Sequence, residues 1–585
     1  MKLIRKFSAP LTLVTLLSAA YAAPYLLPAD PDSAVFRSGV LGLILLFACA
    51  APVTSALRTQ SMRALVYGTA FGFVFAAALS LGSELAFYDR LLPGMGSMIR
   101  RLCVPVMITP LFGALSSYLF AFAPPAPKQD RRGVPFLYFF AAFALCYALV
   151  LLAFYPGVVR YDFEHEIRQY QTGAFEAAHP VFHTLFLGSL YRLGEALFGS
   201  MTAGAALYSA VQLLLLAALY AWGCAFVSRR VPLGVSLVLA ACFALLPFHG
   251  VMAISTAKDP PFAGLCAALC LMIWEIAEDP AAFLASRMKQ ARLIACCALL
   301  ALLRRNGVFA FLPACAAGLL LTRGLWRRSL PVWALALVLS FALPKGLDMA
   351  VQASSAPSSE MMAIPCQQLM RTAARGDLPQ ADYDEISAWF SGAIHRYHPH
   401  NADPAKGGNF DFARYQADPG AYWRMYLKYA VRHPRIYVEA FLENCAGLWY
   451  PDDVSHATQV AGEAYDFVYL MTDYEYEPDR YDIHRRSLLP KLKSLIYDYT
   501  HHNAAQETPV LAQLFCPAVY VFALLFLSLR LCCKGRGRFA LCALPLWGIW
   551  LSLLFSAGVF IRYAYPLMAA APMLLTLALY ADAAS

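Results

Sequence analysis

The sequence predicts an all-α polytopic membrane protein carrying a mainly helical domain outside the bilayer. Three observations predict it. Hydrophobic residues make up 60% of the chain and charged residues only 14%, against roughly 25% charged in soluble proteins. Apolar residues come in runs of about 20, the length that crosses a bilayer as a helix. Basic clusters separate those runs.

The apolar runs include Leu11–Leu27, Gly39–Leu57, Met201–Val227, Leu330–Pro344 and Val510–Leu529. Backbone in hydrocarbon must satisfy its own hydrogen bonds, which makes these runs helices. The short alternating segments of a membrane β-barrel are missing from the sequence. The net charge of +9 is uneven. Lys345–Glu507 has no spanning run and is acidic on balance, so the remainder carries the whole basic excess. An excess spread over short loops orients a membrane protein, with the basic loops inside, and is not a nucleic-acid signal. Sixteen cysteines are present, most within apolar runs, where they act as small apolar residues. No CxxC pair occurs, which argues against structural zinc. Cys366 and Cys445 are the pair that could form a disulfide, although nothing in the sequence fixes their geometry.

The start, Met1-Lys2-Leu3-Ile4-Arg5-Lys6 before an apolar run, reads as an uncleaved signal anchor; Ala20-Tyr21-Ala22 offers the alternative of a cleavage site. The clusters Arg58/Arg63, Lys128/Arg131/Arg132, Arg229/Arg230, Arg287/Lys289/Arg292, Arg323/Arg327/Arg328 and Lys534/Arg536/Arg538 then alternate with the spans. Placing them all in the cytoplasm gives a serpentine of about fourteen helices. It divides the chain into an N-terminal four-helix membrane segment (1–127), a membrane catalytic core (128–344) with a first outer loop at 156–200, an extracytoplasmic domain (345–509) and C-terminal transmembrane helices (510–585).

The polar motifs collect on the outer face of that arrangement. Tyr155–Glu166 follows an apolar span and holds Asp162, Glu164 and Glu166; such carboxylates suit a general base or a divalent cation, or simply mark the end of the span. In His179-Pro180-Val181-Phe182-His183, proline fits a first helical turn. His179 and His183, spaced i, i+4, could ligate a metal or serve as a cap and an interfacial histidine. Lys258 and Asp259 precede a span; a lysine there breaks the charge rule, and either a phosphate ligand or a local pair with Asp259 explains it. Arg304-Arg305-Asn306-Gly307 puts two arginines in a short outer turn, where they bind phosphate or snorkel to headgroups. Arg562 stands among Tyr563 and Tyr565 at the start of the last span. Tyr and Trp in the 345–509 stretch stack on sugars or pack onto the membrane domain, and Gln368 and Arg371 could reach the site from there. No Walker loop, Rossmann glycine pattern or HExxH occurs, which excludes those nucleotide and zinc chemistries as read from motifs.

Taken in order, Tyr161-Asp162, His179-Pro180, Lys258-Asp259, Arg305-Asn306-Gly307, Pro365–Arg371, His433–Trp449 with Tyr450-Pro451, and Arg562-Tyr563-x-Tyr565-Pro566 resemble an uncharacterised bacterial family of multi-pass membrane proteins grouped with the glycosyltransferase-C superfamily. The resemblance covers about 136–581. It implies a plasma-membrane enzyme that moves a sugar from a polyprenyl-phosphate-linked donor to an acceptor in the cell envelope. Asp162 would act as base with Glu164 and His179 beside it. Tyr161, Lys258, Asp259, Arg305, Asn306, Gln368, Arg371, Arg562 and Tyr563 would bind substrate. The partners implied are the lipid-linked sugar, membrane lipid and the acceptor, with no nucleic acid. A divalent cation, Mg or Mn, is the one cofactor left open. The rival expectations are a transporter or flippase of lipid-linked glycans, a polysaccharide polymerase or ligase, and a non-catalytic assembly protein.

Overall fold

The computed structural model describes residues 1–23, 39–122, 124, 133–159, 161–354, 361–407, 409–452, 483–501 and 511–581. The basic cluster at Lys128, Arg131 and Arg132 lies outside the described residues. Among the described residues there is no strand, only three isolated bridges between loops. The protein is an all-α polytopic membrane protein. Among the described residues, seven helices are long and apolar enough to cross a bilayer, or eight if the bent pair Leu233–Leu245 and Pro247–Ala253 is one span.

Burial orders these helices from the inside out. The most apolar window of Asp259–Glu278 is 89% buried by other helices, whereas that of Phe136–Ala153 is only 22% buried. The first is therefore central, packed by Met201–Ser228, Arg287–Leu303 and Ile561–Tyr580. The second turns Leu137, Leu145, Leu149 and Leu152 outward, which suits a lipid environment and would be costly in water.

Helix termini explain much of the register. Pro260 and Pro261 open the central helix, where a missing N–H is harmless. Ser61, Ser200 and Ser286 cap three further N-termini with their side chains. At the opposite end of the bundle, buried Arg530 donates to the carbonyls of Leu119 (2.7 Å), Phe120 (2.8 Å), Ala578 (3.3 Å) and Leu579 (3.2 Å). These carbonyls close Met95–Ala121 and Ile561–Tyr580, whose last turns have no intrahelical donors. Arg230 and Glu278 pair at that same end, 2.6 Å apart.

Outside the spans, short helices between Ala363 and Leu448 fold around their own core of Cys366, Leu369, Trp389, Phe390, Tyr422 and Tyr429. Asp418 caps Pro419–Arg432 and Pro434 starts the next helix. The helix expected to end at Pro344 runs on to Ala350. All sixteen cysteines are thiols, which corrects the disulfide expectation: Cys366 hydrogen-bonds with the Tyr422 hydroxyl and Cys445 with the Leu442 carbonyl.

Candidate functional site

Two loops place the central carboxylate. Val158 pairs with Ser255 in a parallel bridge: its N–H donates to the Ile254 carbonyl at 3.0 Å, and Thr256 N–H donates to the Val158 carbonyl at 2.9 Å. Gly157, at φ +130°, makes that approach possible, because a Cβ there would stand 2.1 Å from Ser209 Oγ and 2.9 Å from the Ile254 carbonyl. The bridge fixes the start of Tyr161–Thr172, which carries Asp162, against the N-terminus of Asp259–Glu278, which carries Lys258.

Lys258 Nζ donates to Asp162 Oδ2 at 2.9 Å, and Arg562 Nη1 reaches the same oxygen at 3.2 Å. Lys258 also lies 3.4 Å from Glu166 Oε1 and 3.4 Å from His179 Nδ1. A cation at a helix N-terminus opposes the helix dipole, so Lys258 needs these acceptors. Asp162 and Glu166 meet it together because i and i+4 share one helix face. Behind them, Glu166 hydrogen-bonds with His183, whose Nε2 pairs with Tyr208 at 2.8 Å; Tyr208 donates to Gln212 at 2.6 Å, and Gln212 donates to the Met252 carbonyl. Buried polar groups are thus tied in series from the acidic helix to the loop before Lys258.

The electrostatics follow from this packing. Burial would raise the Asp162 carboxyl, but Lys258 and Arg562, with His179 behind them, outweigh it and hold the group well below the usual carboxylate range. Glu166 is lowered in the same way, with burial opposed by His183 and Lys258. His179 is pushed down to about 4, first by burial and then by Lys258. Burial opposes the Lys258 charge, yet Asp162, Glu166 and Asp259 together raise its pKa and keep it an ammonium. Next to this group, buried Asp259 pairs with Arg304, which sits 4.8 Å from the Tyr563 ring centroid. Arg562 donates to the Tyr563 hydroxyl at 2.9 Å and joins the two halves.

A family model described as a family of unknown function, DUF6020, matches residues 166–584. The chain belongs to the DUF6020 family. The DUF6020 stretch takes in Glu166, His179, Lys258, Arg304 and Arg562, and begins four residues after Asp162. No curated protein and no solved structure matches the chain.

The expected site residues separate within this DUF6020 structure. Asp162, His179, Lys258, Asp259, Arg562 and Tyr563 come together. The side chain of Tyr161 lies outside the described residues. Glu164 sits on another face of its helix and pairs with Arg168 at 3.0 Å; helical period, not nearness in sequence, brings Glu166 to the cluster. Arg305 is half-exposed and pairs with Asp348 at 3.0 Å, and Asn306 is exposed. Its neighbour Arg304 is the arginine that turns toward Asp259. Gln368 and Arg371 join a different cluster: Gln368 bonds the Tyr437 carbonyl and the Tyr426 hydroxyl, and Arg371 meets Asp89, Tyr397, Glu439 and Glu443. Sequence reasoning left out Tyr208 and Gln212, and it weighed His183 and Arg304 without placing them among the site residues. For His183 the signal was present in the His179-Pro180-Val181-Phe182-His183 motif, although its partner proves to be Glu166.

Proposed function

We propose that the chain is a membrane glycosyltransferase that moves a sugar from a polyprenyl-phosphate-linked donor to a hydroxyl acceptor of the cell envelope, on the extracytoplasmic side of the plasma membrane. The observation that carries this reading is the grip of Lys258 and Arg562 on one oxygen of Asp162, each cation at the start of a membrane helix. Helix N-termini and paired cations suit an anionic phosphate. The topology supports it too. If the four shorter apolar helices, Gly39–Thr59 and Arg287–Leu303 also cross, they would join the seven long apolar helices and the bent pair in the fourteen-helix serpentine of this reading. The basic residues Arg230, Lys289, Arg530 and Lys534 then stand at the end away from Asp162.

In the resting site Asp162 is too acidic to be a strong base, because both cations hold it. A donor phosphate competes for those same cations. As phosphate oxygens come to share Lys258 and Arg562 where they stand, Asp162 loses part of their stabilisation and its basicity rises. The acceptor hydroxyl then gives its proton to Asp162, its oxygen bonds to the anomeric carbon, and the carbon–oxygen bond to phosphate breaks. The electron pair leaves with the phosphate, which Lys258 and Arg562 stabilise as charge develops.

The test is transfer from a polyprenyl-phosphate-hexose to a soluble hydroxyl acceptor by purified protein in vesicles. Asp162→Asn is expected to stop transfer while polyprenyl phosphate still binds; Lys258→Ala and Arg562→Ala are expected to weaken binding. Transfer by Asp162→Asn at the wild-type rate would sink the reading.

A transporter or flippase is the second reading, because the Leu233–Leu245 and Pro247–Ala253 pair is bent by 58° and buries His249 against Tyr565. Broken membrane helices recur at transport sites. Movement of a fluorescent lipid-linked glycan across the bilayer without product formation would favour that alternative.

A further inference from the structure

Among the described residues, Asp162, Glu166 and His179 form the one set of His, Cys and carboxylate side chains grouped closely enough to hold a metal ion, with all three ligand atoms within 4.8 Å of one another. We propose that Lys258 is the resident cation of this site, its ammonium standing where that triad would otherwise bind a divalent metal. The three closest approaches of Nζ, 2.9, 3.4 and 3.4 Å, are to those same three side chains. An ammonium offers three donors and no acceptor, which matches one carboxylate oxygen from each acid and one ring nitrogen. A divalent ion would need the same lone pairs at about 2.0–2.2 Å, and would meet a like charge already bound to them.

Arg562 adds a second positive charge at Asp162 Oδ2, 3.2 Å away, beside the lysine. Lys258 cannot readily withdraw: its side chain is nine-tenths buried and its backbone is fixed at the start of the most buried membrane helix. The residues therefore do not fit Mg or Mn as they stand. The positive charge of the site comes from the chain itself and does not depend on ion supply. The inference concerns the resting cluster and holds for a transferase or a transporter alike.

The probe is Mn²⁺ added to the purified, chelator-treated full chain in detergent, with free ion read by electron paramagnetic resonance. Wild-type protein is expected to take up no Mn²⁺ that Asp162→Asn abolishes. Lys258→Ala, which removes the ammonium and opens its space, is expected to gain a single Mn²⁺ per chain, lost again in Lys258→Ala/Asp162→Asn. Size-exclusion elution and thermal unfolding establish that the variants are folded. Stoichiometric uptake by wild type that Asp162→Asn or Glu166→Gln removes overturns the proposal. So does a folded Lys258→Ala protein that gains no ion. The wild-type measurement stands even if the lysine variant does not fold, and Lys258→Ser then replaces it.

Discussion

Arg562 and Asp162 are 400 positions apart in the chain and 3.2 Å apart in space. No local preference joins them. The last membrane helix must pack along the central one, N-terminus beside N-terminus, before Arg562 can face the carboxylate that Lys258 already holds. This makes the cluster a reporter of the assembled bundle as well as a candidate site. Asp162→Asn is expected to lower transfer by ~10²–10⁴-fold, the usual contribution of a positioned acid or base. It also removes the ion pairs, with a pH signature. Asp162 titrates below its unfolded value, so its stabilisation is present above the unfolded carboxylate range and is lost only as pH falls through the lower folded value. The melting-temperature gap between wild type and Asp162→Asn should thus persist at pH 5. A gap that closes between pH 7 and pH 5 would contradict the assigned charges.

Neighbouring arginines in one turn should behave differently. Arg304 pairs with Asp259, whose side chain is 1% exposed, while Arg305 pairs with Asp348 at a half-exposed site. Removing one partner of a buried pair costs about 3–5 kcal/mol, and an exposed pair is worth roughly 0–1 kcal/mol. Arg304→Ala is therefore expected to lower thermal stability strongly, and Arg305→Ala hardly at all. Equal losses in a detergent melting assay would refute this division of roles.

The sequence carried the long apolar helices, because span length and proline at first turns are local signals, while some ends, such as Pro344 against Ala350, lay elsewhere. It also marked the loops that meet at the site, since a lysine or arginine against the charge rule is visible without a structure. Which of two adjacent groups points inward was harder. Glu164 and Glu166 look alike in a segment read as a loop, and become distinct only once Tyr161–Thr172 is a helix. Arg304 and Arg305 share a hairpin, and only Asp259, 45 positions away from Arg304, separates them. Arg371 was read toward the wrong neighbours for the same reason. Its partner Asp89 lies 282 positions earlier, in the segment whose role the motifs left blank. That contact docks the Met62–Tyr88 helix end onto the 361–452 domain, with Leu91 N–H donating to Glu439 at 2.8 Å.

Gly157 offers a test of the scaffold that leaves every charged group in place. Its φ of +130° and the 2.1 Å approach to Ser209 leave no room for a methyl group. Gly157→Ala must open the Val158–Ser255 bridge or distort the turn, at a cost of ~1–3 kcal/mol. The expected outcome is a folded protein with reduced stability in which Asp162 and Lys258 no longer meet. A cysteine pair placed at Val158 and Ser255 reads the separation directly: crosslinking should be efficient in the native background and fall in Gly157→Ala.

The last prediction concerns the junction around Arg371. One guanidinium there serves Asp89, Glu439 and Glu443, with Tyr397 also bound to it. Arg375 supports Asp89, and Arg435 supports Glu439. Burial pushes Glu443 up to about 8, and although Arg371 pulls it down, Asp89 and Glu439 add to the rise. The folded value is above the unfolded one, so this group stabilises the fold fully below the unfolded carboxylate range, and that contribution is lost as pH rises toward 8. Docking of the N-terminal helices on the 361–452 domain should accordingly weaken between pH 5 and pH 8. Glu443→Gln keeps a hydrogen-bonding side chain without the titration. It is expected to flatten the pH dependence of thermal unfolding over that window, measured alongside limited proteolysis of the 89–92 loop. A wild-type junction that tightens as pH rises would reverse the sign and remove the argument.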